Sequence, residues 1–277
     1  MEYDKKILQK IVNQCRENTF EVLEAGKIGH VGGSLSVIEI LVALYFQIAR
    51  TDPKNPKWVD RDRIVLSKAH ACEAMYGVLG EKGFFSKEKF KEFLKFNSIL
   101  QGHAEICTPG IEYSGGSLGQ GISFACGIAY SAILRKKDFR VYCILGDGEC
   151  HEGEVWEAAM FASHYKLDNL YVVVDYNHYC TVGNVDELMN LQPFENKWKS
   201  FGWETMFEEN GNDVISLVKD FENLEKAKGK PKCIIANTKK GCGVPSWEKK
   251  HAHHLADDAL MDGIKEGRRF LKDESNS

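Results

Sequence analysis

The residues best suited to chemistry lie between Leu145 and Cys180, a stretch that opens L-G-D-G-E-C-H-E-G-E-V-W-E and ends V-D-Y-N-H-Y-C. Gly146-Asp147-Gly148 follows an apolar run, Val141 to Leu145, short and β-rich enough to be a buried strand. The glycines let the backbone approach a ligand closely, and Asp147 puts a carboxylate where the chain turns. A second apolar run, Leu170 to Asp175, ends at Asn177. In a parallel sheet both strand ends lie on one edge, where open α/β folds bind ligands, so Asp147 and Asn177 can meet in space. A carboxylate, an amide oxygen and nearby backbone carbonyls suit Mg²⁺, which binds few protein groups together with substrate phosphates. A bare G-D-G is more often a plain strand-turn-helix with a solvated Asp. Here G-D-G-x(27)-Y-N is framed by strand, helix and strand, which favours the metal.

The elements that must hold these groups follow from the apolar pattern. A helix with an apolar stripe of Val155, Trp156, Ala159 and Met160 joins the two strands. Upstream, Asp4 to Ala25 reads as an amphipathic helix with Ile7, Leu8, Ile11, Val12 and Cys15 on one face and Gly26 as its stop. Gly29-His30-Val31-Gly32-Gly33-Ser34 follows, a loop in which a histidine ahead of a helix could meet an anion or a sugar hydroxyl, or simply sit exposed on a turn. Ser36-Val37-Ile38-Glu39 has the form of a capping box opening a helix to about Arg50. Asp52 to Pro56 is a loop, Arg63 to Ser67 a short strand leading to His70, and a helix then runs to about Gly83. Further helices are expected at Ser86 to Phe96, with a solvated lysine-rich face, and at Leu118 to Leu134, Pro193 to Phe201, Asp213 to Lys228 and Asp257 to Leu271. Strands are expected at Trp203 to Phe207 and Lys232 to Thr238, and fraying at Asp273 to Ser277. This order of elements is an α/β fold, a mostly parallel sheet with helices on both faces.

With 277 residues and no repeat, linker or low-complexity segment, residues 1–277 are expected to form one domain. The net charge of −4 shows no basic excess for nucleic acid or an anionic membrane surface. The longest apolar stretch, Ile38 to Ala49, is interrupted by Glu39 and Gln47 and is too short to span a bilayer. Nine scattered cysteines without a C-x-x-C pair, and a charged N-terminus that starts a helix, lead us to expect reduced thiols and a cytoplasmic protein. His251, His253 and His254 form an H-x-H-H that could suggest zinc, but no further Cys or His stands at ligand spacing.

Several motifs, in order, resemble the transketolase family. They are G-H-V-G-G-S-L-S (29–36), Q-G-H-A-E (101–105), G-S-L-G-Q-G (116–121), G-D-G with E-G-E-V-W-E-A-A-M-F-A-S-H-Y-K-L-D-N-L (152–170), and K-K-G-C-G-V (239–244). The likeness runs from about Ile7 to Arg269. It departs at Ala69 and Ala104, where the family has glycine and proline, at Gly115 in place of threonine, and at His253 in place of a tryptophan. The resemblance implies thiamine diphosphate and Mg²⁺ (or Ca²⁺ or Mn²⁺) as cofactors. Asp147, Asn177 and the Tyr179 carbonyl would hold the metal. His70, Gly146, Gly148, Glu149, Asn177 and His254 would face the cofactor, with Gly116, Ser117 and Leu118 on its pyrimidine side. His30, His103 and His254 would bind sugar hydroxyls and move protons, a task for groups titrating near neutrality.

The likeness covers only the family's N-terminal, diphosphate-binding half. The acid that assists the aminopyrimidine lies in the family's pyrimidine-binding domain, across a subunit interface. The implied protein is therefore the N-terminal subunit of a split transketolase, moving a two-carbon ketol unit from a ketose, free or phosphorylated, to an aldose. Its expected partner is a C-terminal subunit, in a heterotetramer with two copies of each. The altered positions leave room for an unusual sugar in a biosynthetic pathway. A deoxyxylulose-phosphate synthase or a 2-oxoacid dehydrogenase subunit would also carry G-D-G, but G-H-V-G-G-S with G-S-L-G-Q-G favours transketolase. A non-catalytic Mg-nucleotide or dinucleotide-binding module would need a G-x-G-x-x-G or a P-loop after a strand, and neither is present.

Overall fold

The computed structural model describes residues 5–248 and 252–275. In chain order the elements are α1 (Lys5–Gly26), β1 (Ile28–Gly29), α2 (Val31–Ser36), α3 (Ile38–Ala43), β2 (Arg63–Leu66), α4 (Cys72–Lys82), α5 (Gln120–Leu134), β3 (Val141–Gly146) and α6 (Gly153–His164). They continue with β4 (Leu170–Tyr176), α7 (Val185–Leu188), α8 (Phe194–Ser200), β5 (Glu204–Glu208), α9 (Val214–Leu224), β6 (Lys232–Asn237), β7 (Leu255–Ala256) and α10 (Asp257–Ser275).

Five strands form one sheet in the order β2-β3-β4-β6-β5, every pair parallel. Their runs are buried on both faces, which is why they read as continuous apolar segments rather than alternating ones. Successive side chains still part to opposite sides. Tyr142, Ile144, Tyr171, Val173, Ile234 and Ala236 join the core under α1, α3, α4 and α9. Val141, Cys143, Leu145, Val172, Val174 and Ile235 join a second core under α5, α6 and α8. The expected α/β architecture with helices on both faces is thus present. The carboxyl ends of β2, β3, β4 and β6 share one edge, as the register Gly146 to Asp175 and Tyr176 to Asn237 requires.

Several local expectations are corrected. The helix expected from Ser36 to about Arg50 starts later, as α3 at Ile38, and its end widens into a π-helical turn over Leu44–Ile48, while a separate short helix, α2, ends at Ser36. Ser36 does not cap it, because its hydroxyl donates to Asp175 Oδ2 at 2.6 Å, and Glu39 pairs with Arg16 at 2.6 Å. The segment expected as a helix at Ser86 to Phe96 is only a 3₁₀ run, Lys87–Glu92, pinned by the buried rings of Phe90 and Phe93. Ile7 and Met160, both assigned to apolar stripes, are exposed; α6 buries Val155, Ala158, Ala159 and Ala162 instead. The last helix runs on to Ser275, past the point where fraying was expected. Asp4, His251, Asn276 and Ser277 lie outside the described residues. Among those described, no helix is long and apolar enough to cross a membrane, and all nine cysteines are free.

Candidate active site

Asp147 leaves β3 at the shared edge and is 2% exposed. Its Oδ1 accepts the Gly148 N–H at 2.7 Å, and its Oδ2 accepts the His178 N–H at 2.6 Å, tying the end of β3 to the loop after β4. His178 takes a left-handed φ of +68°, held by its ring contacts to Asp186 (3.1 Å) and Asn237 (2.9 Å). Asn177, on the near side of that turn, uses its Nδ2 toward Ser36 Oγ (3.2 Å) and its Oδ1 toward the Tyr179 N–H (3.1 Å). Gly148 is required by packing, since a Cβ there would lie 2.5 Å from the Cys180 Cβ. Asp147 and, about thirty residues on, Asn177 and Tyr179 thus line one pocket with Gly146 and Gly148. Burial, and then the nearby Asp175 carboxylate, push Asp147 up to about 7. A carboxylate so placed calls for a cation, and an amide and carbonyls beside it make an all-oxygen donor set.

Two groups that sequence reading passed over stand opposite. Lys68, 1% exposed at the end of β2, forms a buried ion pair with Asp175 and donates to the Gly33 carbonyl at 3.0 Å. Asp175 is further held by Ser36 and Thr238. Lys240, also buried, donates to the carbonyls of Tyr179 (3.4 Å) and Cys180 (3.3 Å). Burial, and then the Lys68 ammonium, push Lys240 down to about 8. Both ammonium groups line the same pocket as Asp147, so a polyanion can settle between them and a metal. The residues present therefore fit a metal-bound diphosphate.

At the mouth of this pocket four imidazoles gather around the ring of His30. Its ring centroid lies 5.6 Å from His70, 5.6 Å from His103, 5.5 Å from His253 and 4.7 Å from His254. All four histidines singled out in the sequence meet here, together with His253. Two imidazolium ions 5.5 Å apart repel by roughly 3 kcal/mol at an effective dielectric of about 20, so the cluster resists carrying several protons. Burial, followed by the charge of Lys68, holds His70 well below its ordinary value. Burial and then His30 lower His103 and His254. Gly33 keeps this crossing open, for a Cβ there would stand 3.3 Å from His70 Nε2 and 3.4 Å from Lys68 Nζ.

The expected cofactor residues do not all line this pocket. His254 is exposed and packs on His30, while the pocket wall is formed by His253, 5.7 Å from His70. Glu149 lines the pocket, but its carboxylate is taken up by the chain. It accepts from Ser67, from Gly119 N–H at 2.8 Å and from Gly146 N–H at 3.0 Å, bracing the start of α5 against β3. Leu118 reaches the pocket, whereas Gly116 and Ser117 are exposed, Gly116 beside His103. Among the described residues no group of three or more His, Cys, Asp or Glu side chains is arranged to hold a metal ion.

A parallel α/β sheet that presents an acidic oxygen site, a basic pocket and an imidazole cluster on one carboxyl edge defines a diphosphate-cofactor-binding domain. Residues 7–271 match the family described as transketolase, thiamine diphosphate binding domain, and the chain belongs to that family. It is 41% identical over 233 residues to an apulose-4-phosphate transketolase subunit of Phocaeicola vulgatus, covering 84% of this chain and 83% of that protein. It is 42% identical over 248 residues to the 6-deoxy-6-sulfo-D-fructose transketolase subunit SqwG of a Clostridium species, covering 89% and 90%. Among solved structures, the transketolase of Campylobacter jejuni superposes with a TM-score of 0.90 at 31% identity, over 98% of this chain and 43% of that one. The chain thus spans less than half of the solved transketolase and most of the two subunit-sized relatives.

Proposed function

We propose that this chain is the N-terminal, cofactor-anchoring subunit of a split transketolase, built as one domain over residues 1–277 and acting in the cytoplasm. The observation that carries the reading is the meeting of Asp147, Asn177 and Tyr179 with Lys68, Lys240 and the histidines on one sheet edge. Asp147, the Asn177 amide oxygen and the Tyr179 carbonyl hold Mg²⁺ or a similar hard cation. Lys68, Lys240, His70 and His253 bind the diphosphate, Gly146 and Gly148 let it approach the backbone, and Leu118 supports the pyrimidine end. Bound thiamine diphosphate supplies the nucleophilic carbon that carries a two-carbon ketol unit from a ketose to an aldose. His30, His103 and His254 grip the sugar hydroxyls and hold or release protons at the oxygens that change charge.

Two features support a separate partner that completes the site. Gly116 and Ser117, which we propose face the cofactor's pyrimidine end, are exposed on this chain. The two similar proteins of matching length are both named as transketolase subunits. The partner we propose is a C-terminal subunit carrying the pyrimidine-binding domain and its acid, in a complex with two copies of each chain. The substrates are sugars or sugar phosphates. Because both relatives are named for modified sugars, apulose-4-phosphate and 6-deoxy-6-sulfo-D-fructose are the first donors to test. The test is to assay ketol transfer by the purified chain alone and with its candidate partner, in excess cofactor and Mg²⁺. Activity is expected only from the mixture. Substantial turnover by the chain alone would overturn the split-enzyme reading, and no turnover from an assembled mixture across the sugars would overturn the activity.

A further inference from the structure

One buried charge lies just outside this machinery and touches its central imidazole. Glu73, on the first turn of α4, is fully buried. Its Oε1 accepts the His30 backbone N–H at 2.9 Å, and its Oε2 accepts the Ser34 hydroxyl at 2.8 Å. The same Oε1 stands 3.8 Å from His30 Nδ1. That Nδ1 is buried and has no hydrogen-bond partner among the described residues. The His30 side chain is nevertheless 19% exposed, so its accessible part is the rest of the ring, including the Nε2 edge. The approach is built in. A Cβ on Gly29 would lie 2.6 Å from Glu73 Oε1, so only glycine admits the carboxylate here. Burial alone would raise Glu73, but its contacts with His30 outweigh that and hold it below the usual carboxylate range, hence ionised.

We infer that Glu73 is a positioning residue for His30: it fixes the proton of the neutral ring on Nδ1 and leaves Nε2 as the working nitrogen. The groups facing His30 from the packed elements are His70 and Glu73 around α4, His103 from the loop before α5, and His253 and His254 from the loop before β7. Four are imidazoles that repel a proton on His30, and Lys68 lies behind His70. Among the described residues, Glu73 is the one anion in direct reach of the ring. The proton of the neutral His30 ring therefore sits on the nitrogen that faces the carboxylate, and the other nitrogen faces the open side of the cluster.

The inference rests on the ketol-transfer reading only for its catalytic use; the protonation pattern is a property of the chain itself. The test is ¹⁵N-histidine NMR of the full chain across pH 5 to 9, with His30 assigned from His30→Asn, alongside the Glu73→Gln variant. In the parent, neutral His30 should show the Nδ1–H form. In Glu73→Gln the tautomer preference should weaken, with the thermal unfolding transition retained. A His30 tautomer unchanged by Glu73→Gln would overturn the inference. Should that variant fail to fold, Glu73→Asp, which withdraws the carboxylate while keeping its charge, should weaken the preference by a smaller amount, and an unchanged tautomer would again overturn it. With the reconstituted complex, Glu73→Gln should reduce kcat and move the acid limb of the pH–rate profile downward, while cofactor affinity holds. Failure of the complex to transfer ketol units would refute the activity and leave the NMR result standing.

Discussion

Replacing Asp147 by Asn should move stability and cofactor binding in opposite directions. In the metal-free chain Asp147 rises from 3.8 to about 7, first by burial and then by Asp175. The folded chain holds this proton more tightly than the unfolded chain does. Its contribution to stability is therefore complete below about pH 4 and is lost as pH rises to about 7. A rise of that size corresponds to roughly 4 kcal/mol at pH 8. Asn carries no charge, but its single oxygen can serve only one of the two N–H donors, Gly148 and His178, that Asp147 satisfies. Leaving the other unpaired costs about 1–3 kcal/mol. Without metal at pH 8, Asp147→Asn should thus be more stable than the parent by about 1–3 kcal/mol, several degrees in Tm for a chain of this size. By pH 5.5 the advantage should shrink by about 2 kcal/mol, because folded Asp147 is then protonated. Thermal unfolding in EDTA at the two pH values reads this directly. Thiamine diphosphate with Mg²⁺, added with the partner subunit, should raise the Tm of the parent complex and leave the variant complex unmoved. An equal ligand-induced rise in both, or a variant less stable than the parent in EDTA at pH 8, would refute the reasoning.

His103 is exposed, touches His30 and is absent from the diphosphate pocket, so His103→Ala should slow turnover by about 10²–10⁴-fold with cofactor affinity unchanged; steady-state kinetics and a cofactor titration separate the two effects. Lys240→Met keeps the buried stem and removes the charge, so the apo chain should fold as well or better while the cofactor Kd rises at least tenfold by calorimetry. Asp220 is pushed up to about 7 by burial and then by Glu208, so its stability contribution is lost as pH rises toward neutrality. Asp220→Asn should accordingly raise the Tm at pH 8 more than at pH 5.5, and an equal effect at both would count against the pairing.

What could be read from sequence was whatever depends on local backbone chemistry. Apolar runs of strand length, broken by Gly146-Asp147-Gly148 and by Asn177, mark the ends of β3 and β4, and parallel pairing follows from the helix between them. The chemistry at those ends was legible because glycines and a carboxylate at a strand terminus are informative wherever they occur. Local rules failed where a side chain's partner comes from another element. Ser36 and Glu39 have capping-box spacing, yet tertiary partners, Asp175 and Arg16, take both groups. Ser86 to Phe96 has helical periodicity, but burying Phe90 and Phe93 tightens it into a 3₁₀ run. Lys68, Lys240 and Glu73 look in sequence like any solvated charge; only packing shows that they are buried, that the two lysines line the pocket and that Glu73 reaches His30. His253 and His254 are neighbours whose roles depend on which way each ring points, and only the fold around His30 and His70 decides that. Local steric and hydrogen-bond preferences act within a few residues of chain, whereas desolvation and charge pairing depend on which distant segments the fold brings together.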